Sequence, residues 1–192
     1  MQLKVEGKQI DVGESLRTHV TDHLTDAVNK YFEKPIDGTV VFSREGSHSF
    51  KADVSLHVGK GIMLQSSHTA DDPYPAFDGA TDRVAKRMRR YKKKMKDHHN
   101  RIDALDDTVL QQAKYYTIND DSAEEEEPAD EPMIVAEIDH TIYEMSVSEA
   151  VMRMNLADVP CFMFENSKTG QINVVYRRQD GHIGWIDPKN KS

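Results

Sequence analysis

Apolar and polar residues alternate with the two-residue period of a strand in four stretches of the first seventy residues. These predicted strands are 3–6, 39–43, 50–58 and 62–70. After the first of them, apolar residues recur every three or four positions from Leu16 to Val28, which indicates a helix buried along one face. Asp11 and Glu14 are spaced as a capping box that would begin this helix. We therefore expect a strand, a helix and three further strands.

A second, longer helix is predicted after the last of these strands. Asp72 is a suitable N-cap, and Pro73 stands at the first helical position, where proline is well tolerated. A helix between the first two strands implies a parallel crossover, whereas the remaining strands form an antiparallel meander. We expect an α+β fold whose N-terminal domain is a β-α-β-β-β-α two-layer sandwich, like that of double-stranded-RNA-binding domains.

The residues after 132 predict a smaller α+β unit. A strand is expected at 134–138, and Ser146 with Glu149 forms a capping box that begins a short helix. Three more strands are predicted at 161–165, 172–178 and 183–186. They carry large apolar residues on both faces, while one short helix can cover only one face. A second copy of the chain would supply the missing layer, so we expect a homodimerisation domain.

Charge is distributed unevenly along the 192 residues. The net charge is −8, yet residues 1–101 contain 18 Lys/Arg against 14 Asp/Glu, so the acidic excess lies in the second half. The run 119–132 has no apolar side chain other than alanine and proline, and it buries too little surface to offset the entropy of ordering it. We predict a binding domain at 1–101, a flexible acidic linker at 102–132 and the dimerisation domain at 133–192.

The most unusual charge pattern lies within the predicted second helix. Nine Lys/Arg and no carboxylate occur between Arg83 and Lys96. Like charges one helical turn apart repel each other by roughly 0.2–0.5 kcal/mol per pair, and a solvated face usually interleaves acids with bases. The helix dipole favours cations late in the helix but explains only part of the run. We therefore predict an RNA or DNA partner, recognised through backbone and shape. The residues expected to project outward are Lys86, Arg87, Arg90, Lys93 and Lys94.

Other candidate sites are weaker. Cys161 is the only cysteine, which excludes an internal disulfide and a thiolate metal cage, and we interpret it as a core residue. His48, His57 and His68 could converge, but no ligand spacing supports a metal site. We expect no metal, cofactor, small-molecule substrate or enzymatic activity. Without a signal-peptide core or an apolar run of membrane-spanning length, we expect a cytoplasmic protein with no membrane partner.

Two stretches carry a family resemblance. Residues 72–94, DPYPAFDGATDRVAKRMRRYKKK, match a helix pattern that begins D-x-Y-x-A and ends in Tyr or His followed by Lys. Residues 173–186, NVVYRRQDGHIGWI, are similar to the signature V-Y-R-R-x-D-G-x-x-G-L-I. With the predicted element order and the acidic linker, they resemble the long form of the ribosome hibernation promoting factor family, which is related to ribosome-associated inhibitor A and the sigma-54 modulation proteins. Gly79 is a departure, since glycine costs about 1 kcal/mol in a helix interior.

The resemblance implies a mechanism. The N-terminal domain would occupy the small-subunit channel used by mRNA and tRNA and inhibit translation, and C-terminal homodimerisation would pair two ribosomes. The cations expected at ribosomal RNA are Arg83, Lys86, Arg87, Arg89, Arg90, Lys93 and Lys94. The residues expected at the dimer contact are Phe162, Phe164, Ile172, Val174 and Tyr176. The alternative is a regulator that binds RNA away from ribosomes or modulates transcription.

Overall fold

The computed structural model describes residues 2–31, 37–59, 62–104, 111–118 and 134–189, with the backbone alone for 92–104 and Tyr115. Its helices are Glu14–Asn29 (α1), Pro73–Ala104 (α2) and Val147–Ala157 (α3). Its strands are Gln2–Lys8 (β1), Asp37–Glu45 (β2), Ser49–Gly59 (β3), Ile62–Ala70 (β4), Gln111–Ile118 (β5), Ile134–Ile142 (β6), Glu144–Met145 (β7), Cys161–Asn166 (β8), Gln171–Arg177 (β9) and Ile183–Ile186 (β10). None of these helices is long and apolar enough to cross a membrane. The predicted α+β class and N-terminal β-α-β-β-β-α order are confirmed.

The first sheet has the predicted topology. Its strand order is β1-β2-β3-β4, with β1 parallel to β2 and the other neighbours antiparallel. Val40 of β2 pairs with Val5 on one side and Val54 on the other, and all three side chains are buried. Alternate residues of a strand point to the same face, and the buried stripes of α1 and α2 pack on that face. The two helices therefore form one layer and the sheet forms the other.

The first two helices begin in different ways. The N-cap of α1 is Gly13 and makes no side-chain cap hydrogen bond, so the predicted capping box of Asp11 and Glu14 is wrong. Glycine is an acceptable N-cap at an exposed helix start, where water can satisfy the first N–H groups. At α2 the predicted cap is confirmed, because the Tyr74 backbone N–H donates to Oδ1 of Asp72 at 2.9 Å.

Gly79 is required where α2 crosses β4. The His68 side chain lies beneath it, and a Cβ atom placed on Gly79 would meet the His68 ring at 2.0 Å. Because no side chain tolerates so short a contact, the glycine lets the imidazole ring pack against the backbone of the helix. A steric requirement therefore explains a residue that helix propensity disfavours.

The C-terminal unit has a second sheet with the strand order β10-β9-β8-β7. The helix α3 begins at the predicted cap Ser146 and covers one face of this sheet, where Ala150 and Met154 are fully buried. It ends at Asp158, which adopts the left-handed backbone conformation with a φ of 55°. The predicted small α+β unit is therefore present, with one covered and one open sheet face.

The opposite side of α3 packs on the N-terminal domain. Met152 and Leu156 lie one turn apart, are 1% and 0% exposed, and belong to the same buried cluster as the core of the first sheet. Asn155 donates from Nδ2 to the Tyr91 hydroxyl of α2 at 2.8 Å. Within the described residues, α3 therefore lies between two separate apolar clusters and contributes side chains to both.

Part of the predicted acidic linker is a strand. Residues 111–118 form β5, which pairs antiparallel with β6 in a two-stranded sheet. The prediction of a flexible linker over 102–132 did not include this strand. Residues 119–133, which contain the most acidic run, lie outside the described residues.

Replacing Gly79 with alanine is expected to destabilise the protein, although alanine is favoured by about 1 kcal/mol in a helix interior. The new Cβ must displace the His68 ring, and overpacking of this kind costs about 1–3 kcal/mol. Urea unfolding of wild type and Gly79→Ala measures the change. In a His68→Ala background the same substitution should be neutral or stabilising, because the obstructing ring is gone. Equal stabilisation in both backgrounds would contradict the steric explanation.

Candidate nucleic-acid interface

The cationic side of α2 is positioned by the apolar residues on its opposite side. Phe77, Ala80, Val84 and Met88 are fully buried against the sheet, and Tyr91 packs beside them. Burying each of the larger side chains contributes about 1.5–3 kcal/mol. Repulsion between like charges on one helix is roughly 0.2–0.5 kcal/mol per pair. Burial therefore outweighs repulsion, and the cations project from a fixed support.

Three cations lie on the open side of α2. Lys86, Arg89 and Arg90 are exposed, and within the described part of the chain none of them has an ion pair or a side-chain hydrogen bond. The expected outward orientation of Lys86 and Arg90 is confirmed. Arginine offers paired N–H donors to phosphate and lysine offers a mobile point charge, so this surface suits a polyanion. The side chains of Lys93 and Lys94 lie outside the described residues.

Arg83 and Arg87 form hydrogen bonds within the protein. The Nη1 group of Arg83 donates to the backbone oxygen of Ser67 at 2.6 Å, and the Nη1 group of Arg87 donates to the backbone oxygen of Gln65. Both acceptors belong to β4, the last strand of its sheet among the described strands. The arginines therefore satisfy carbonyl oxygens along a sheet edge and oppose pairing of that edge with another chain.

Arg87 also forms an ion pair with the C-terminal unit. Nη2 of Arg87 lies 2.7 Å from Oδ2 of Asp158, and Nη2 of Arg177 lies 3.6 Å from the other oxygen of that carboxylate. The Arg87 side chain is only 23% exposed and is paired, so the expectation that it projects outward is wrong. Asp158 reaches it because the docking of α3 places the end of that helix beside α2.

The five residues predicted for a dimer contact lie on two different faces of the C-terminal sheet. Phe164 is fully buried beneath α3 and Phe162 packs in the same cluster, so both lie on the covered face. Ile172, Val174 and Tyr176 lie on the outer face and are only partly buried. The prediction is therefore corrected for Phe164, which is a core residue that a partner cannot reach.

Two large apolar residues of the outer face were not predicted, and the interpretation of Cys161 as a core residue is wrong because it is exposed on this face. Met163 and Ile186 flank Val174 in the strand register, one on each neighbouring strand, and are 47% and 52% exposed. Together the three side chains form an apolar row across β8, β9 and β10. Strand alternation provided a signal for Met163, because a residue between Phe162 and Phe164, which share the covered face, must point to the opposite face.

The two-stranded sheet of β5 and β6 is a further apolar surface. Its large side chains are about half exposed or more. They are Tyr116, Ile118, Ile134, Val135 and Ile138. An isolated pair of strands is only marginally stable in water, so such a ribbon is typical of a segment that another layer covers.

The turn after β9 belongs to the C-terminal signature and has a structural role. The Asp180 carboxylate accepts hydrogen bonds from Nε of Arg178 and from the His182 backbone N–H, both at 3.0 Å, and Gly181 has a φ of 83°. The Arg178 guanidinium and then the His182 N–H lower the pKa of Asp180, and the carboxylate raises the pKa of Arg178. These residues therefore fix the turn that returns the chain into β10.

Two family models match the chain. Residues 3–96 match the family described as Sigma 54 modulation protein / S30EA ribosomal protein. Residues 129–184 match the C-terminal family described as Sigma 54 modulation/S30EA ribosomal protein C terminus. The resemblance inferred from the basic helix and the C-terminal signature is therefore confirmed.

Curated relatives align along nearly the whole chain. A ribosome hibernation promotion factor of Rhizobium meliloti is 40% identical over 99% of this chain and 98% of that protein. The protein of the same name from Bacillus subtilis is 27% identical over 98% of this chain and 99% of that protein. The solved N-terminal domain of Thermus thermophilus Protein Y is 23% identical, with a TM-score of 0.43 over 47% of this chain and 99% of that one. The matches along both parts show that this chain belongs to the Sigma 54 modulation/S30EA ribosomal protein family, in the form that has a C-terminal domain.

Proposed function

We propose that this protein is a ribosome hibernation factor. Its N-terminal domain binds the small ribosomal subunit in the channel for mRNA and tRNA and inhibits translation, and its C-terminal domain pairs two ribosomes by homodimerisation. The observation that carries the proposal is the cation surface of Lys86, Arg89 and Arg90, unpaired within the described residues and held on the buried stripe of α2. The names of the curated relatives support the ribosome as the partner.

A rigid helix with a continuous run of cations suits structured RNA. Its charges meet phosphates along a backbone whose spacing is set by the folded RNA, and they need no base-specific contacts. The ribosome is the abundant cellular target with such a surface, and occupation of the mRNA and tRNA channel would exclude those ligands by volume alone. Inhibition in this scheme requires no catalytic residue.

The contact between Arg87 and Asp158 bears on how the domain engages RNA. Arg87 cannot offer its full guanidinium to a phosphate while Asp158 is 2.7 Å away. Lys86, Arg89 and Arg90 are accessible with α3 docked, so they form the first contacts with RNA. Withdrawal of the C-terminal unit then removes Asp158 and adds Arg87 to the surface that meets RNA.

The open face of the C-terminal sheet is the proposed dimer surface. Met163, Val174 and Ile186 form its centre, and a second copy with the same apolar row is self-complementary across a two-fold axis. The exposed ribbon of β5 and β6 offers additional surface for the same association. Both surfaces leave apolar side chains in water in a single chain, which favours a covering copy.

Reversing two exposed charges is expected to weaken ribosome association strongly while the fold persists. In Lys86→Glu with Arg90→Glu, two phosphate contacts become repulsions, and the slope of log affinity against log salt should fall by about 2. Co-sedimentation of the full chain with purified small subunits at several salt concentrations measures both effects. Lys168→Glu, an exposed charge change in the β8–β9 turn, is the matched control and should bind like wild type.

Undiminished binding of the doubly reversed protein would contradict the proposed interface. Binding to other RNA that excess ribosomes do not compete away would instead favour the alternative regulator. Lys86 and Arg90 are chosen because Arg83 and Arg87 also bond β4, so their replacement would confound binding with stability.

A charge on the outer sheet face is expected to separate paired ribosomes without releasing the protein from them. Val174→Asp places a carboxylate at the centre of the apolar row, where pairing with a second copy would bury it without a partner. Sucrose-gradient sedimentation should show single ribosomes with the variant bound, and light scattering should show a monomer. Lys168→Asp controls for added negative charge. Persistent ribosome pairs with Val174→Asp would assign dimerisation to another surface.

A further inference from the structure

The contact between α1 and α2 brings together three side chains that carry metal-ligating atoms. His19 and His23 lie one turn apart on α1, and Asp78 reaches them from the beginning of α2. Their nitrogen and oxygen ligand atoms all lie within 4.8 Å of one another. We propose that these residues form a binding site for a divalent transition metal, and that Zn²⁺ is the ion that fits it best.

The geometry is close to that of an occupied site. Nε2 of His19 lies 2.8 Å from Oδ1 of Asp78, and the centroids of the two imidazole rings are 4.1 Å apart. Bonds from Zn²⁺ to nitrogen and carboxylate oxygen are about 2.0–2.2 Å, which separates the ligand atoms of a tetrahedral site by about 3.3–3.6 Å. Small rotations of exposed side chains therefore suffice to surround one ion.

The His19 ring is held in place by its neighbours, whereas the side chains of His23 and Asp78 can move to coordinate an ion. The His19 ring packs edge-on against Tyr74 and Phe77, with centroids 5.1 and 5.6 Å away, and its side chain is 22% exposed. His23 and Asp78 are exposed, so an ion can enter from solvent and water can fill a fourth position. An orienting ring contact of this kind reduces the entropy that ligand binding must offset.

The donor set selects the class of ion. Two imidazole nitrogens and one carboxylate oxygen suit Zn²⁺, whereas Mg²⁺ and Ca²⁺ require oxygen ligands. A simpler explanation is that the hydrogen bond between His19 and Asp78 only holds the two helices together. That explanation does not account for the position of His23 beside them. The pair of His57 and Asp37, 3.3 Å apart, has that simpler arrangement and is not part of a ligand group among the described residues.

A bound ion would fasten the beginning of α2 to α1. The site lies near the beginning of α2, about three helical turns before Arg90, and joins the two helices of one layer. Because the unfolded chain does not hold the three ligands together, Zn²⁺ would stabilise the folded protein by mass action. The ion would thereby stiffen the support of the cation surface without contacting it.

Calorimetric titration of the full chain with Zn²⁺ tests the proposal, with His23→Ala as the variant and His57→Ala as the matched control. His23→Ala should bind one fewer Zn²⁺ per chain, or bind at that site at least about tenfold more weakly, and His57→Ala should match wild type. Thermal melting should show stabilisation by Zn²⁺ in wild type and His57→Ala that is lost in His23→Ala.

The same titration with Asp78→Asn separates a three-ligand site from a pair of histidines. A neutral amide is a poorer ligand than a carboxylate, so this variant should also bind more weakly. Melting in EDTA shows whether each variant folds, and His23→Gln provides a second exposed substitution if the alanine variant does not. Equal Zn²⁺ stoichiometry, affinity and stabilisation in wild type and the folded His23 variant would overturn the proposal. Neither readout involves ribosomes, so the result is independent of the proposed function.

Discussion

Burial of the apolar stripe of α2 against the first sheet is the interaction on which the rest of the structure depends. Phe77, Val84 and Met88 are fully buried, and each contributes about 1.5–3 kcal/mol. This burial keeps a helix folded although its other side carries cations that repel one another. It also fixes the direction in which Lys86 and Arg90 point. A loose helix with the same residues would have the charge of an RNA-binding surface without its shape.

The second constraint is that α3 is buried on two sides, one against each unit of the protein. One side of this helix covers the C-terminal sheet through Ala150 and Met154, and the other side enters the N-terminal core through Met152 and Leu156. The docked arrangement places Asp158 on Arg87 and so connects the state of the C-terminal unit with the charge that α2 presents. RNA phosphates and Asp158 would compete for the same guanidinium, which links RNA binding to release of the C-terminal unit in the proposed mechanism.

Much of the fold could be predicted because it depends on local periodicity. Alternation defined β2, β3 and β4, and the Asp72 cap defined the start of α2. The features that could not be predicted depend on contacts between residues distant in sequence. Arg87 differs from Arg90 only because the edge of β4 and Asp158 lie beside it. Helix propensity disfavours Gly79, and its presence is explained only by the His68 ring that packs against it.

The same distinction applies to the candidate surfaces. The run of cations was visible in the sequence, and its exposed members Lys86 and Arg90 followed from the helical period. The predicted dimer residues come as a set from the family resemblance, whereas strand alternation alone places Phe164 and Met163 on opposite faces. The histidines one turn apart on α1 were visible too, but their third ligand, Asp78, comes from another helix, and no metal was expected.

Cryo-electron microscopy of purified ribosomes with the full chain would show where the N-terminal domain binds and which side of α2 faces the RNA. We expect density for the N-terminal sandwich in the mRNA and tRNA channel of the small subunit, with Lys86, Arg89 and Arg90 against ribosomal RNA phosphates. We also expect that Arg87 has left Asp158 and faces the RNA. Density that places α2 toward solvent, or that places the domain away from the small subunit, would contradict this expectation.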